Sequence, residues 1–507
     1  MKKKDVERRQ CDSFFAKMER IALALSYGDV RLKSGYSKVI PADVDLKTFF
    51  SRNVPLNIPI VSSPMDTVTE HKMAIAMAIL GGLGIIHKGL SPKDQASAVG
   101  KVKHFLSAFI TDPITVSPDD TVETVLLMKE KKNYRFSSFP VVDSEGKVIG
   151  LVTSNDFDFC MDHQLKISQI MSKEIIGIKQ DASIDELYST MSESRKKLLP
   201  VLDPAGGLKG IYTLADVKRI KTGKSNKYNL DSKGRLRVGA TIGVREDAEE
   251  RMELLSRRKT DVVVIDTAHG DSEGVIEALK FCKKNYPSID VVAGNISEPE
   301  AAKRLEKAGA DGVRVGQGPG SICTTRIVAG IGCPQVTASY NCAKAVRGSG
   351  IGVCADGGIE YSGDVPIALG TGATCVMLGK ALAGTKESPG EIFFRDGKAV
   401  KIYRGMGSLE AMIDHRTSRE RYGLAGNTAA DKLVPEGVKG DVDYKGEVSA
   451  VVFYFVEGTK SGFGYVGAQN VPEFQAKADF RRISNAGLKE SHPHGLSNIQ
   501  DSPNYRI

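Results

Sequence analysis

Gly318-Pro-Gly-Ser-Ile-Cys323-Thr-Thr-Arg326 is the stretch of this chain whose residue types most directly imply chemistry. Its glycines let backbone amides and carbonyls approach a ligand, and a thiol held in such a loop rather than in a strand suits a nucleophile. A buried structural cysteine is the alternative, and that reading fits the other seven, at positions 11, 160, 282, 333, 342, 354 and 375. None of them forms a CxxC pair, so neither a zinc site nor a disulfide framework is indicated and reduced thiols are expected. Asp356-Gly357-Gly358 and Val376-Met-Leu-Gly379 add a second feature. A carboxylate beside two glycines can hold ribose hydroxyls while the glycine amides face a phosphate. The implied ligand is a nucleoside monophosphate, although composition alone does not separate it from a sugar phosphate.

These groups need a scaffold that brings distant loops to one place. Short apolar runs alternate with amphipathic helical stretches, the pattern of a parallel sheet built from βα units. The candidate strands are Ile58–Ser62, Leu83–His87, Leu236–Thr241, Val262–Asp266, Val291–Gly294, Gly312–Gly316, Gly352–Asp356 and Thr374–Gly379. Helical stretches such as Glu246–Lys259, Ser272–Asn285, Glu298–Ala308 and Val336–Arg347 follow them. Eight such strands predict an α/β fold, a (β/α)8 TIM barrel, with an insertion after the second strand. Polar or flexible groups follow the strands: Ser63-Pro-Met65-Asp66, His87-Lys88, Asp266-Thr267-Ala-His269, Asn295 and Gly316–Thr325. In a barrel these ends converge on one mouth, where the active site lies.

The insertion contains a repeat. Phe139-Pro-Val-Val-Asp-Ser-Glu-Gly-Lys-Val-Ile-Gly-Leu-Val-Thr153-Ser-Asn-Asp156 is echoed by Leu199-Pro-Val-Leu-Asp-Pro-Ala-Gly-Gly-Leu-Lys-Gly-Ile-Tyr-Thr213-Leu-Ala-Asp216. Each copy reads as strand, turn, strand and capped helix, preceded by a helical stretch, Val122–Lys132 or Ile184–Lys196. The pair resembles tandem CBS domains, a Bateman module of α+β character, over 105–222 with halves at about 109–161 and 167–222. That resemblance implies that Thr153, Asp156, Thr213 and Asp216 contact the ribose of a purine nucleotide, ATP or GTP. Simple helix capping would use the same residues.

Bulk properties narrow the class. Hydrophobic residues make up 41% and charged residues 26%, close to the globular average, so a large core is expected and extensive disorder is not. The net charge of +8 comes from 70 basic and 62 acidic residues spread along the chain, which favours an anionic small molecule over nucleic acid. The one basic run, Lys2-Lys3-Lys4, reads as a solvated tail. No window approaches the ~18 consecutive apolar residues of a membrane helix, and no secretory signal is legible, so a cytoplasmic protein is expected.

The motifs SSPMDTVTE (62–70), GPGSICTTR (318–326), ADGGI (355–359), YRGMGS (403–408), RY (421–422), VPEG (434–437) and SPNYR (502–506) are long and ordered. On these the chain resembles the IMP dehydrogenase / GMP reductase family from about residue 27 to its end, leaving 1–26 as an extension. The resemblance implies oxidation of IMP to XMP with NAD, the committed step of guanine nucleotide biosynthesis. Cys323 would attack purine carbon 2, hydride would leave for NAD, and a covalent thioimidate would remain. Phosphate would rest on Ser321, Gly358, Gly379, Lys380 and Tyr403, and ribose on Asp356. The purine would meet Met65, Met406, Gly407 and Glu436, with Ser63, Gly357, Arg404 and Gly405 beside them. Asp266 would hold the nicotinamide ribose, with Thr267, His269, Asn295, Gly316, Gln317 and Gly318 nearby. Many members carry Ser at the position of Lys380, where an ammonium can pair with phosphate instead.

The same resemblance implies a monovalent cation such as potassium, bound by carbonyls of Gly318, Gly320 and Cys323 and by Glu490, Ser491 and His492 of a neighbouring subunit. It therefore implies a homotetramer, or an octamer. The catalytic part would span 27–104 and 223–507, with a mobile flap at about 386–470 because that segment is too long for a simple loop. Arg421, helped by Tyr422 and Thr325, would activate the water that releases XMP, a rare task for a group seldom deprotonated. A GMP reductase shares the barrel, the cysteine loop and the thioimidate but uses NADPH. The Arg421-Tyr422 pair and Glu436 favour the dehydrogenase, since a reductase needs no activated water. A non-catalytic, nucleotide-sensing barrel is the remaining alternative, and Cys323, Thr325 and Arg421 speak against it.

Overall fold

The structure, a computed structural model, describes residues 9–106, 109–110, 113–132, 134, 136–180, 182–222, 227–424, 427–500, 502 and 504–505. Lys2-Lys3-Lys4, and Pro503 and Arg506 of the SPNYR motif, lie outside the described residues. Two compact units emerge, one formed by 1–103 with 227–507 and the other by 104–226.

The larger unit holds a closed barrel of eight parallel strands. In chain order these are β1 (Ile60–Ser62), β2 (Leu83–Ile86), β3 (Gly239–Ile242), β4 (Val262–Asp266), β5 (Asp290–Ile296), β6 (Gly312–Val315), β7 (Gly352–Asp356) and β8 (Cys375–Leu378). They are apolar runs because both faces are covered, one by helices and the other by the barrel interior. Residues two apart point the same way along a strand. Val262 and Val264, Leu83 and Ile85, and Cys375 and Met377 accordingly meet in one buried cluster. Phe50, Val54 and Leu56 join that cluster from a hairpin, Thr48–Ser51 with Val54–Leu56. Cys354 and Cys375 pack inward here, and Cys11, Cys282 and Cys342 are also buried. Burial pushes the Cys11 thiol up to about 11 and that of Cys282 up to about 12, so both stay protonated at neutral pH.

Below the barrel, Lys103 is almost fully enclosed and reaches Asp231 at 3.0 Å and Asp261 at 2.6 Å. The two acids respond differently. Burial raises the Asp261 carboxyl despite the ammonium, whereas Asp231, whose burial is outweighed by amides of Lys233 and Arg235 and by Lys103, is held at about 2. The N-terminal extension is not a free tail over its described part: Asp12–Arg20 is helical, Phe15 stacks on Tyr340 at 3.7 Å, and Asp12 takes a two-pronged ion pair from Arg347.

The segment expected as one flap has three parts. A three-stranded antiparallel sheet (Phe393–Arg395, Lys398–Arg404, Lys439–Asp443) stands beside two short helices, Leu409–Asp414 and Arg416–Arg421. The helix Val448–Val466 falls inside the expected flap but buries Val448, Val452, Phe455 and Phe463 in the barrel's outer core. An amphipathic helix of that length belongs to the scaffold, which the glycine-rich composition of its surroundings obscured.

The smaller unit contains two α/β halves. One pairs Phe139–Val142 with Val148–Val152, and the other orders Phe109–Ile110, Leu208–Thr213 and Leu198–Leu202. The repeat reappears as matched turns: Asp143 accepts the amides of Glu145 and Lys147, Asp203 those of Ala205 and Gly207. Gly146 and Gly206 take positive φ values of 83° and 89° at the same point, as such aspartate-capped turns require.

Replacing Lys103 by Met leaves Asp231 to Arg235 at 2.8 Å and Asp261 to Arg237 at 3.7 Å, and is expected to cost roughly 3 kcal/mol, the lower end for breaking a buried pair. The measurement is the thermal midpoint by scanning fluorimetry, and Lys103→Met combined with Asp261→Asn should regain part of the loss.

Candidate active site

Each functional side chain sits at a strand's C-terminal end or on a loop tied to one. Strand β7 delivers Asp356, and the next two residues turn sharply with φ of 93° at Gly357 and 77° at Gly358, a conformation that favours glycine. A Cβ on Gly316 would come within 2.0 Å of the Asp356 carbonyl, so the start of the cysteine loop can lie against β7 only without a side chain. Strand β5 loses register between Gly294 and Ile296, an irregularity that re-aims the intervening Asn295. Its Nδ2 donates to the Asp356 carboxylate at 2.7 Å and to the Gly316 carbonyl at 2.8 Å.

The cysteine loop is stitched to the segment that joins the last two strands of the antiparallel sheet. The amide of Thr324 donates to the Glu436 carbonyl, Val438 to Ile322, and Glu436 to Gly407. Cys323 is half-buried, its Sγ lying 3.2 Å from Thr325 Oγ1. It lines a cavity of about 350 Å³ with Ser63, Met65, Ser321, Asp356, Gly357 and Gly358. Gly379, Lys380, Tyr403, Gly405, Met406 and Glu436 complete the expected substrate set around that cavity. Such a volume suits a small ligand. Tyr403 is buried over Gly379, and burial raises its phenol, which therefore remains a donor facing the glycine turn of β8. Lys380 Nζ stands 3.5 Å from Glu360 on the same rim.

A second cavity, of about 860 Å³, adjoins the first and is lined by Thr267, His269, Gln317, Thr325, Arg421 and Tyr422 among others. Asn295, Gly316, Gly318 and Gly320 line the first cavity rather than the second. Three expected contacts lie elsewhere. Arg404 pairs with Asp66 and Asp414, Gly407 lies under the Tyr422 ring, and Asp266 is buried beneath the cavity floor. Glu490, Ser491 and His492 lie outside both cavities, with His492 Nδ1 2.8 Å from the Tyr505 hydroxyl.

Arg314, which sequence reasoning missed, and Lys88, named there only as a polar group after a strand, organise the floor. Arg314, on β6 and 4% exposed, bridges Asp266 at 2.6 Å and Asp356 at 2.8 Å. Lys88, after β2, is buried with its ammonium on the Asp266 carbonyl at 2.8 Å. A charged residue inside an apolar strand run, Val-Arg-Val, was the available signal for Arg314. Arg421 also pairs with Asp266, and its carbonyl accepts the Ala268 amide at 3.0 Å. Burial opposes ionisation of Asp266, but Arg421, Arg314 and Lys88 outweigh it and hold the carboxyl well below its ordinary range. In return burial lowers the Arg421 guanidinium, but Asp266, Tyr422 and Asp356 together raise it more, so it stays protonated in this arrangement.

Residues 24–494 match the family described as the IMP dehydrogenase / GMP reductase domain. The chain belongs to the IMP dehydrogenase / GMP reductase family. It is 47% identical over 492 residues to the inosine-5′-monophosphate dehydrogenase of Aquifex aeolicus, covering 96% of this chain and 99% of that one. The Bacillus subtilis enzyme of the same name is 44% identical over 487 residues, covering 95% and 98%. Among solved structures, a GMP reductase variant of Trypanosoma brucei in complex with guanosine 5′-monophosphate superposes with a TM-score of 0.84 at 38% identity, covering 94% of this chain and all of that one. The barrel, the cysteine loop and the glycine turns of β7 and β8 are thus features of an IMP dehydrogenase / GMP reductase fold.

Lys380→Ser should weaken binding of inosine 5′-monophosphate roughly 3-fold, since a half-exposed ion pair contributes little. Calorimetric titration at two salt concentrations tests this. An unchanged affinity returns Lys380 to a surface pair with Glu360.

Proposed function

We propose that this chain is an NAD-dependent dehydrogenase that oxidises IMP to XMP through a covalent bond between Cys323 and purine carbon 2. The observation that carries the reading is a thiol at one side of a cavity whose other side is the glycine cradle of β7 and β8. The cradle takes the phosphate on backbone amides with Ser321, Tyr403 and Lys380, and Asp356 takes the ribose hydroxyls. The purine then lies over Met65 and Met406, with carbon 2 at the sulfur.

The Cys323 thiolate adds to carbon 2, and the hydride displaced from that carbon passes to NAD, the second substrate, leaving a thioimidate. Water then adds to the same carbon, a proton is removed from it, and the carbon–sulfur bond breaks to return the thiolate and release XMP. Arg421, with Tyr422 and Thr325, activates that water. Arg421 and Tyr422 line both cavities, so the dinucleotide and the docked Arg421 compete for one space, and for Asp266. Departure of NADH lets the helix carrying Arg421 close. Deprotonation of Arg421 then requires that its contact with Asp266 loosen, because the carboxylate stabilises the charged form.

The carbonyls of Gly318, Gly320 and Cys323 fit a hard monovalent cation such as potassium, and φ of 78° at Gly318 turns the loop backbone there. That ion would fix the loop geometry around Cys323, and Glu490, Ser491 and His492 of a neighbouring subunit would complete its shell. Ile327 and Ile331, 87% and 56% exposed just beyond the cysteine loop, support a homotetramer in which a neighbour covers them. Among the described residues no helix is long and apolar enough to cross a membrane, and the proposal places the enzyme in the cytoplasm.

The smaller unit, read as tandem CBS domains, binds ATP or GTP in this proposal. Thr153 and Thr213 donate to Asp156 at 2.8 Å and Asp216 at 2.5 Å, so each pair caps its own helix and also presents oxygens to a ribose.

Mixing the protein with IMP, NAD and potassium should raise absorbance at 340 nm; no rise together with NADPH consumption on GMP identifies a reductase instead. Cys323→Ala abolishes hydride transfer. Arg421→Ala retains it but accumulates the Cys323 adduct, visible by mass spectrometry, and absence of the adduct refutes the two-stage scheme. ATP or GTP should shift sedimentation between tetramer and octamer, and Asp156→Ala with Asp216→Ala should remove the shift.

A further inference from the structure

The helix Arg416–Arg421 is six residues long and buries only Ser418, so neither helical propensity nor apolar packing fixes where its Arg421 lies. Polar contacts do. At its far end Arg421 meets Asp266 and the Ala268 amide. Midway, Thr417 Oγ1 donates to the Lys88 carbonyl at 3.1 Å. At its start stands His415, whose extended backbone (φ −125°, ψ 115°) separates this helix from Leu409–Asp414. That preceding helix is anchored by buried Ala411 and Met412 and by the Ser408 cap. His415 is therefore the joint between a docked helix and one held only by polar contacts.

The joint is pinned to the barrel. His415 Nε2 lies 3.0 Å from Oδ2 of Asp66, in the turn after β1. The same oxygen accepts Arg404 Nε at 2.9 Å and Nη2 at 2.6 Å. Because an ionised carboxylate only accepts, the imidazole Nε2 meets Asp66 as a donor, and Arg404 Nη2, 3.3 Å from that nitrogen, spends its hydrogen bond on the same carboxylate oxygen. Burial works against the Asp66 charge, yet the bonds from His415 and Arg404 hold its carboxyl at about 2. A Cβ on Gly89 would meet His415 Cε1 at 3.4 Å and His87 Nδ1 at 2.9 Å, so the loop after β2 also borders the imidazole.

We propose that His415 and Asp66 form the pivot that sets the Arg416–Arg421 helix, and are positioning residues for the water-addition half of the reaction. The proposal rests on the role of Arg421 argued above. Neither pivot residue lines the cavity of the thiol, although Asp66 follows Met65 there, so the pivot bears on hydrolysis more than on hydride transfer.

Stopped-flow measurement of the NADH burst against steady-state turnover separates the two halves. His415→Leu should keep the burst rate but lower turnover roughly 10-fold, the worth of one hydrogen bond to a charged partner, with adduct accumulating on Cys323. His415→Gln, which presents an amide donor at a similar reach, should restore most of the turnover. Equal losses in burst and turnover, or no loss at all, overturn the pivot, as does a glutamine variant no better than leucine. If Arg421→Ala stalls with adduct while His415→Leu hydrolyses normally, only the pivot falls. If Arg421→Ala shows no adduct, the reading beneath it falls as well.

Discussion

The Arg314 guanidinium, shared between the carboxylates that end β4 and β7, is the interaction on which the mouth of this barrel depends. Asp266 is enclosed where water cannot screen it and Asp356 is only partly exposed at the cavity wall, so the cation between them offsets the repulsion of two like charges. Removing one partner of such an arrangement leaves an uncompensated charge at a cost of roughly 3–5 kcal/mol. The bridge also fixes geometry. Arg314 and Asn295 together occupy Oδ2 of Asp356, so the carboxylate is oriented before any ligand arrives.

Asp266 is the adjustable member of this network. Arg314 and Lys88 stay beside it when Arg421 leaves, so the Arg421 contact is the one that can be exchanged for another partner. The sequence reading gave Asp266 to a nicotinamide ribose; the structure shows it held by the flap arginine. In the proposed scheme the two placements compete for one carboxylate, which would order two reactions in one site. Electrostatics adds a constraint, because the contact that docks Arg421 also keeps it protonated. Docking and water activation therefore favour slightly different positions of the same guanidinium.

The barrel was legible because parallel strands buried on both faces must be apolar along their whole length, so all eight runs stood out. The cysteine loop and the glycine turns were legible because few purposes other than close approach to a ligand favour such residues in sequence. Pairings were not legible. Arg314 meets Asp356 from 42 positions away and His415 meets Asp66 from 349, separations at which only the closed barrel supplies proximity. The boundaries of the flap were misjudged for a related reason. Val448–Val466 is rich in small residues and reads locally as irregular, yet its apolar stripe is completed by the outer core of the barrel.

The division between rigid and movable parts follows from what each buries. Asp356, Gly358, Gly379 and the start of the cysteine loop extend directly from barrel strands whose residues are almost wholly enclosed, so the groups expected to hold a mononucleotide inherit the stability of the core. Arg421 and Tyr422 sit at the end of a six-residue helix secured by a few hydrogen bonds and ion pairs. Each such contact contributes on the order of 1 kcal/mol net, so their sum lies within reach of a ligand's differential binding. A helix buried more deeply would hold Arg421 well but could not yield the space a dinucleotide needs. A helix with fewer contacts would leave the thioimidate without a placed water. The weak, polar attachment of this helix is thus a consequence of asking one cavity to serve two chemistries.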